Sequence, residues 1–416
     1  MSRELSRILN DDSLDKFTTM RISSLDGDED EEFAFDNDDD DDEEEEDEDE
    51  EQAPVVLGFV EKPKHEWSLL RHLFPSKAGG TPAWLDPINL PSGKSCLCDI
   101  CGEPLRFLLQ AYAPLSAKDS TFHRTLFVFM CPSMSCLLQD QHEQWKHRPE
   151  KGSRSIKVFR CQLARNNEFY STEPPENNGT DKPLGRAAPL CGWCGTWKGD
   201  KVCSNCKRAR YCSKMHQTIH WSSAHKSRCR TSDLPLQASN SGSTNSASNV
   251  TWPEYEIINE DESEFDIEMS NSDAFGKALH TNNEDEGDAK SWASFQKRIS
   301  RAPDQVLRYS RHETSKPLWP MLTVPVAAID LLNFRYGTSF RLLLSAHLEF
   351  FSVSQFHINP SLVQILPQLL YFFDVKNDAN SLDWATIVVY TCEASCNGSL
   401  AYEEEFAWVQ LTPQSR

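Results

Sequence analysis

Residues 191–229 read CGWCGTWKGDKVCSNCKRARYCSKMHQTIHWSSAHKSRC and set Cys191/Cys194, Cys203/Cys206, Cys212/His216 and His225/Cys229 as four ligand pairs in one short segment. Tetrahedral Zn2+ takes thiolate and imidazole ligands in fours, so these side chains suffice for two ions. A segment this short has little apolar surface to bury, and metal binding takes over as the source of its folding free energy. Four protein ligands per ion leave no position for a reactive water, so the zinc is expected to be structural. Nothing else in the chain constrains conformation as narrowly.

The order of the pairs, the Tyr211-Cys212 step and the His220-Trp221 and His225-Lys226 dipeptides resemble a MYND-type finger, with His216 where that family carries cysteine. The resemblance implies interleaved ligation. Cys191, Cys194, Cys212 and His216 would hold one ion, and Cys203, Cys206, His225 and Cys229 the other. It also implies binding of short proline-containing peptides, with Trp197 or Trp221 as the groove aromatic. The finger carries nine Lys or Arg between Lys198 and Arg230 against the single acid Asp200. Such charge can meet phosphates. It equally suits acidic proteins, and the spacing of a C2H2 recognition helix is absent, so nucleic acid is not the expected partner.

The chain has 416 residues and a formal charge of −22. That charge is local: residues 28–51 hold 20 Asp or Glu and no Lys or Arg, leaving the remainder close to neutral. Of the 14 cysteines, all but Cys392 and Cys396 precede residue 230. The start, MSRELSRILN, has no apolar signal region, and no long uncharged apolar run follows. The expectation is an intracellular protein without membrane spans, in the cytoplasm and nucleus, whose clustered cysteines hold metal rather than form disulfides.

The chain divides by composition. Residues 1–53 read as an acidic disordered tail. Residues 54–170 form an N-terminal β-rich domain with strand-like runs in RFLLQAYAPL and TLFVFMC. Residues 171–190 are a Pro-rich polar linker, 191–229 the finger, and 230–300 a Ser/Asn-rich then acidic linker with isolated Trp252, Tyr255 and Phe265. A C-terminal β-rich domain spans 301–416, including WATIVVYTC and EEEFAWVQL.

The two β-rich parts echo each other. Gln110, Pro114 and Leu115 precede TLFVFMCPSMSC as Gln364, Pro367 and Leu369 precede TIVVYTCEASC. In the first part Cys98, Cys101 and Gly102 make a knuckle, and with Cys131 and Cys136 they offer four thiolates to a third zinc. With SKAGGTPAWLDP, CDICGEPLRFLLQAYAPL, FHRTLFVFMCPSMSC, DQVLRYSR and WATIVVYTCEASC, the chain resembles the programmed cell death protein 2 family. One departure stands out. The family's second cysteine knuckle is missing, since residues 231–391 contain no cysteine, and residues 322–362 are an atypical replacement expected to come from splicing or a gene-model error. Cys392 and Cys396 would then be half of the four-thiolate set a zinc knuckle needs.

The fold class expected is mixed and β-rich: two related zinc-knuckle units with an inserted MYND-type finger, an acidic tail and a linker. No Ser-His-Asp set, phosphate loop or methyl-donor pattern is visible, so the protein is not expected to be an enzyme. Cys96 and Cys161 receive no role, and His123, His142 and His147 read as solvated surface histidines. The family resemblance implies ribosome production: binding a newly made basic ribosomal protein of the small subunit and escorting it into assembly. On that reading the two units form a cleft for the client, and the acidic tail screens its basic patches. The alternative is a nuclear adaptor or corepressor-type protein whose finger recruits partners.

Overall fold

The computed structural model describes residues 55–115, 118–144, 153–180, 185–229, 251–265, 284–310, 317–321, 362–376, 378, 380–391, 395–396 and 400–412. The expected acidic tail, residues 322–361, His147 and Cys392 lie outside them.

The first β-rich part supplies β1 (Val56–Glu61), β2 (Lys77–Ala78), β3 (Arg106–Tyr112), β4 (His123–Met130) and β5 (Ile156–Leu163). The finger carries a ribbon of β6 (Lys201–Val202) and β7 (Arg210–Tyr211). The second part supplies β8 (Tyr255–Asp261), β9 (Leu307–Ser310), β10 (Leu362–Ile365), β11 (Thr386–Tyr390) and β12 (Tyr402–Gln410). Apart from the ribbon, these strands close into one antiparallel barrel in the order β1-β8-β2-β3-β4-β5-β12-β11-β10-β9. The two related units are therefore halves of one barrel. The cleft expected between them is replaced by hydrogen-bonded seams.

At one seam β5 meets β12 over only four residue pairs, Tyr402↔Cys161 to Glu405↔Val158. At the other the halves exchange their leading strands. β8, the first strand of the second half, lies against β2, while β1 lies against β9, and β1 and β8 pair with each other from Val56↔Asp261 to Glu61↔Glu256. Closure pairs most of the main-chain groups that either half alone would leave at its edges.

Here the structure departs from the linker drawn over 230–300. Residues 255–261 are a barrel strand and Glu284–Ile299 form a helix. Ile257 faces the interior and Trp252 stacks on Phe373 with ring centroids 5.2 Å apart. A strand with few inward side chains and acidic residues at its end has the composition of a linker, and only its partners reveal it. The helix packs Phe295 and Ile299 against Leu366. Glu262, just after β8, is buried and takes a bidentate contact from Arg308 of β9, at 2.5 and 2.8 Å, while Arg298 approaches at 2.8 Å.

Alternate residues of nearly every strand meet in one apolar cluster, among them Leu109, Leu126, Val128, Val158, Ile257, Leu307, Val363, Ile365, Ile387, Val389, Ala407 and Val409. That cluster fills the barrel. The other face of the first half is also covered: Phe107, Phe127, Phe129 and Phe159 join Trp84, Trp197 and the finger cysteines in a second cluster. This explains why TLFVFMC lacks alternation, since all eight residues of β4 are buried.

The sequence echo has a structural meaning at its glutamines. Gln110 and Gln364 are both 1% exposed. Gln110 Oε1 accepts from Ala83 N at 2.8 Å and its Nε2 donates to Pro75 O at 2.9 Å. Gln364 Oε1 accepts from Leu318 N at 3.1 Å, and its Nε2 donates to Leu318 O and Thr386 Oγ1 at 2.6 and 2.9 Å. In each half the carboxamide receives the main-chain N–H of the residue preceding a tryptophan, Trp84 or Trp319.

Removing either carboxamide leaves buried main-chain groups unpaired, which costs about 1–3 kcal/mol. Gln110→Ala and Gln364→Ala are each expected to lower stability by that amount in urea unfolding. Gln→Glu should be at least as damaging, because it removes the donor and buries an acid.

Candidate metal centres

Three knuckles share one local geometry. In each the first cysteine's main-chain N–H is taken by a carbonyl further on, and its own carbonyl accepts from the residue after the second cysteine. The N–H bonds are Cys98 to Glu103 O at 2.8 Å, Cys191 to Trp197 O at 2.8 Å and Cys203 to Ala209 O at 2.9 Å. The return bonds come from Gly102, Gly195 and Lys207 at 2.8, 2.8 and 3.0 Å. These three residues have φ of 73°, 65° and 56°, a left-handed conformation that glycine adopts freely and lysine holds at a cost.

The knuckles bring the twelve sequence candidates into three sets, with ligand atoms inside each set within 4.8 Å of one another. They are Cys98, Cys101, Cys131 and Cys136; Cys191, Cys194, Cys212 and His216; and Cys203, Cys206, His225 and Cys229. A tetrahedral zinc with Zn–S near 2.3 Å separates two sulfurs by about 3.8 Å and a sulfur from an imidazole nitrogen by about 3.6 Å. The observed S···S separations are 3.7 Å for Cys101/Cys131, 3.9 Å for Cys194/Cys212 and 3.8 Å for Cys203/Cys229. Cys191 lies 3.6 Å from His216 Nδ1 and Cys206 lies 3.5 Å from His225 Nε2. These separations fit zinc and are far too long for disulfides.

Local elements aim the remaining ligands. Cys131 directly follows β4, and Cys136 lies in helix α1 (Met134–Gln144). Helix α2 (Lys214–His220) carries His216, and its N-cap Ser213 Oγ accepts from His216 N at 3.0 Å. Helix α3 (Lys226–Arg228) leads into Cys229, whose sulfur accepts from Asn205 Nδ2 at 3.0 Å. Such a donor beside a thiolate steadies its charge. Asn205 was not foreseen, because a polar residue between two cysteines gives no sign of its direction. A hydrogen bond from the Cys131 thiol holds Cys98 below the ordinary thiol range, toward the thiolate that binds metal.

The finger is fastened to the barrel by a reciprocal tryptophan pair. Trp197 is fully buried, donates Nε1–H to Leu105 O at 2.8 Å and lies 4.2 Å from Phe129 by ring centroids. Trp84 donates to Thr196 O at 2.9 Å. Trp197 is thus an internal anchor and not a groove aromatic. Trp221 is half-buried and lines a cavity of ≈ 810 Å³ with Asn205, Ser222, Ser223, Lys226 and Ser227. Lys201, Lys207, Arg210, Lys214 and Lys226 are exposed on the finger.

Residues outside the three sets also have definite places. Cys96 and Cys161 are buried thiols that burial pushes up to about 12. His142 is exposed. His123 is not on the surface: it is 5% exposed, stacks on Phe74 at 4.1 Å and shares a 3.0 Å hydrogen bond with Tyr112, and burial pushes it down to about 4. Its adjacent polar neighbour Arg124 lies on the opposite face of the strand, where it donates to Ala113 O and Thr391 Oγ1. Among the described residues no helix is long and apolar enough to cross a membrane.

Comparison with known proteins assigns the same three regions. The N-terminal domain of programmed cell death protein 2 matches residues 54–177, its C-terminal domain residues 360–411, and the MYND finger residues 191–229. Programmed cell death protein 2 of Bos taurus is 34% identical over 376 residues, covering 86% of this chain and 96% of that one. The Rattus norvegicus protein is 34% identical over 375 residues with the same coverage. Programmed cell death protein 2-like of Homo sapiens is 25% identical over 404 residues, covering 86% and 97%. No solved structure matches.

Metal analysis of the full chain is expected to return three equivalents of zinc, falling to two for His216→Ala. Trp197→Ala should keep all three while losing about 3–5 kcal/mol in urea unfolding, because it empties a buried aromatic site without touching a ligand.

Proposed function

This chain belongs to the programmed cell death protein 2 family, and on that premise we propose that it is a non-catalytic holding protein for a newly made, basic small-subunit ribosomal protein. The observation that carries the reading is the acidic run at 28–51, with 20 carboxylates and no base. A polyanion of that density imitates nucleic-acid phosphate. It can cover the RNA-binding patches of a client before RNA is available, with an affinity that falls as salt rises. The metal centres suit a holding role, because each supplies a full set of four protein ligands and leaves no coordination site for chemistry. The barrel interior is occupied by apolar side chains, so client contacts belong to the exterior. Cytoplasm and nucleus, where such a client is made and assembled, are the proposed locations.

A second reading rests on the cavity beside Trp221. An aromatic wall, serines and Lys226 at the second zinc lobe suit a short proline-containing peptide, as an adaptor finger would require.

Affinity purification at two salt concentrations separates the two. The full chain is expected to retain one basic ribosomal protein near 1:1 at low salt. Deletion of residues 28–51 should weaken capture at least tenfold and flatten the salt dependence, while Trp221→Ala leaves it unchanged. Loss of all partners with Trp221→Ala and none with the deletion would favour the adaptor.

A further inference from the structure

The Cys98, Cys101, Cys131 and Cys136 set sits at the short seam between the halves. There β12 continues past its last pair with β5 while remaining paired to β11 as far as Gln410. Gln410 O accepts from Ala385 N at 2.8 Å, so Ala407, Val409 and Leu411 turn their main-chain groups toward the opposite edge. Among the described residues no strand lies on that edge. Val409 N donates to Gln144 Oε1 and Leu411 N to Gln141 Oε1, both at 3.0 Å, and the Arg154 guanidinium donates to Ala407 O. Gln141 and Gln144 belong to α1, and their carboxamides stand in for the peptide groups of a missing strand.

The same helix grips the start of β5. Buried Asp140 accepts from Ser155 N at 2.5 Å, Ser155 Oγ at 2.8 Å and Ile156 N at 3.3 Å, and Gln144 Nε2 donates back to Asp140 at 2.7 Å. The knuckle holds this segment from the other side. Asp99 accepts from Lys157 Nζ at 2.8 Å and from Arg154 N at 3.2 Å, and Cys131 N donates to Ser155 O at 2.8 Å. Both arms of the clamp end in ligands of one set: Cys98 and Cys101 flank Asp99, and Cys136 is in the first turn of α1. Three of the four ligands are buried. Cys101 is exposed, which makes it the point where a competing ligand can attack.

We propose that this cluster is a metal-operated latch on the seam: with its ion bound it holds α1 in the place of a strand, and with the ion lost α1 loosens and frees the β12 edge at Ala407–Leu411. The edge is protected by Gln141 and Gln144 on the later turns of α1, whose first turn is held both by Cys136 and by Met134 and Leu137 in the apolar cluster. Loss of the ion removes one of those two holds and is felt first at the amides that Gln141 and Gln144 cover, while the apolar side of α1 stays on the core and the other ladders do not pass through the helix.

Hydrogen exchange read by NMR on the full chain tests this, with zinc counted in the same samples. Cys101→Ser is expected to carry two equivalents of zinc instead of three. Its amides at 155–156, 409 and 411 should exchange at least tenfold faster, with those of 126–128 and 387–389 unchanged. Gln141→Ala with Gln144→Ala should keep three equivalents yet expose 409 and 411 to the same degree. The proposal is overturned if Cys101→Ser loses its zinc while 409 and 411 stay protected. It is equally overturned if protection falls uniformly across the barrel, or if the glutamine variant leaves 409 and 411 unchanged.

Discussion

Twelve sulfur and imidazole groups, gathered four at a time at tetrahedral separations, decide where the irregular half of this molecule lies. Loops are hard to fix by packing alone, since each ordered residue gives up conformational freedom that a few apolar contacts do not offset. Zinc coordination supplies that free energy at a point. Here those points carry the knuckle at 98–101, the start of α1 and both lobes of the finger. The aromatic face of the first half barrel, which would otherwise be wet, is covered by the segments so fixed.

The barrel obeys a different constraint. Each half contributes five strands, and exchange of β1 and β8 means that neither half has its own leading strand in place. The halves therefore fold as one body, although sequence composition separates them by a finger and a long polar stretch. Buried ion pairs sit where the exchange and the short seam occur: Glu262 with Arg308 beside β8 and β9, and Arg160 with Glu405 between β5 and β12. Such pairs add little net stability but are strongly unfavourable when broken, so they favour one register over its neighbours.

The relation between chemistry and role follows from saturation. A zinc with four protein ligands is a structural centre with no open position for water, and apolar side chains occupy the barrel interior. The described residues offer a partner a basic finger with a cavity at Trp221 and a barrel exterior, and the sequence adds the carboxylate run at 28–51. Charge of opposite sign is thus concentrated in two separate stretches of one chain, and interactions of either stretch weaken as salt rises.

Spacing by itself determined the metal chemistry. C-x2-C, C-x3-H and H-x3-C pairs can satisfy a tetrahedral ion only by folding into knuckles, and Gly102 and Gly195 supply the positive φ the turn demands. The paired glutamines, Gln110 and Gln364, likewise announced a duplicated unit before any coordinates. Burial and pairing partners were decided only in three dimensions. Nothing near Tyr255 in the chain says that β8 will find β1 and β2, nothing about His123 says that its strand turns it inward, and Trp197 and Trp221 look equivalent until one is packed against Phe129. The reason is physical: coordination is set by a few atoms close in sequence, whereas burial depends on surfaces brought together from opposite ends of the chain.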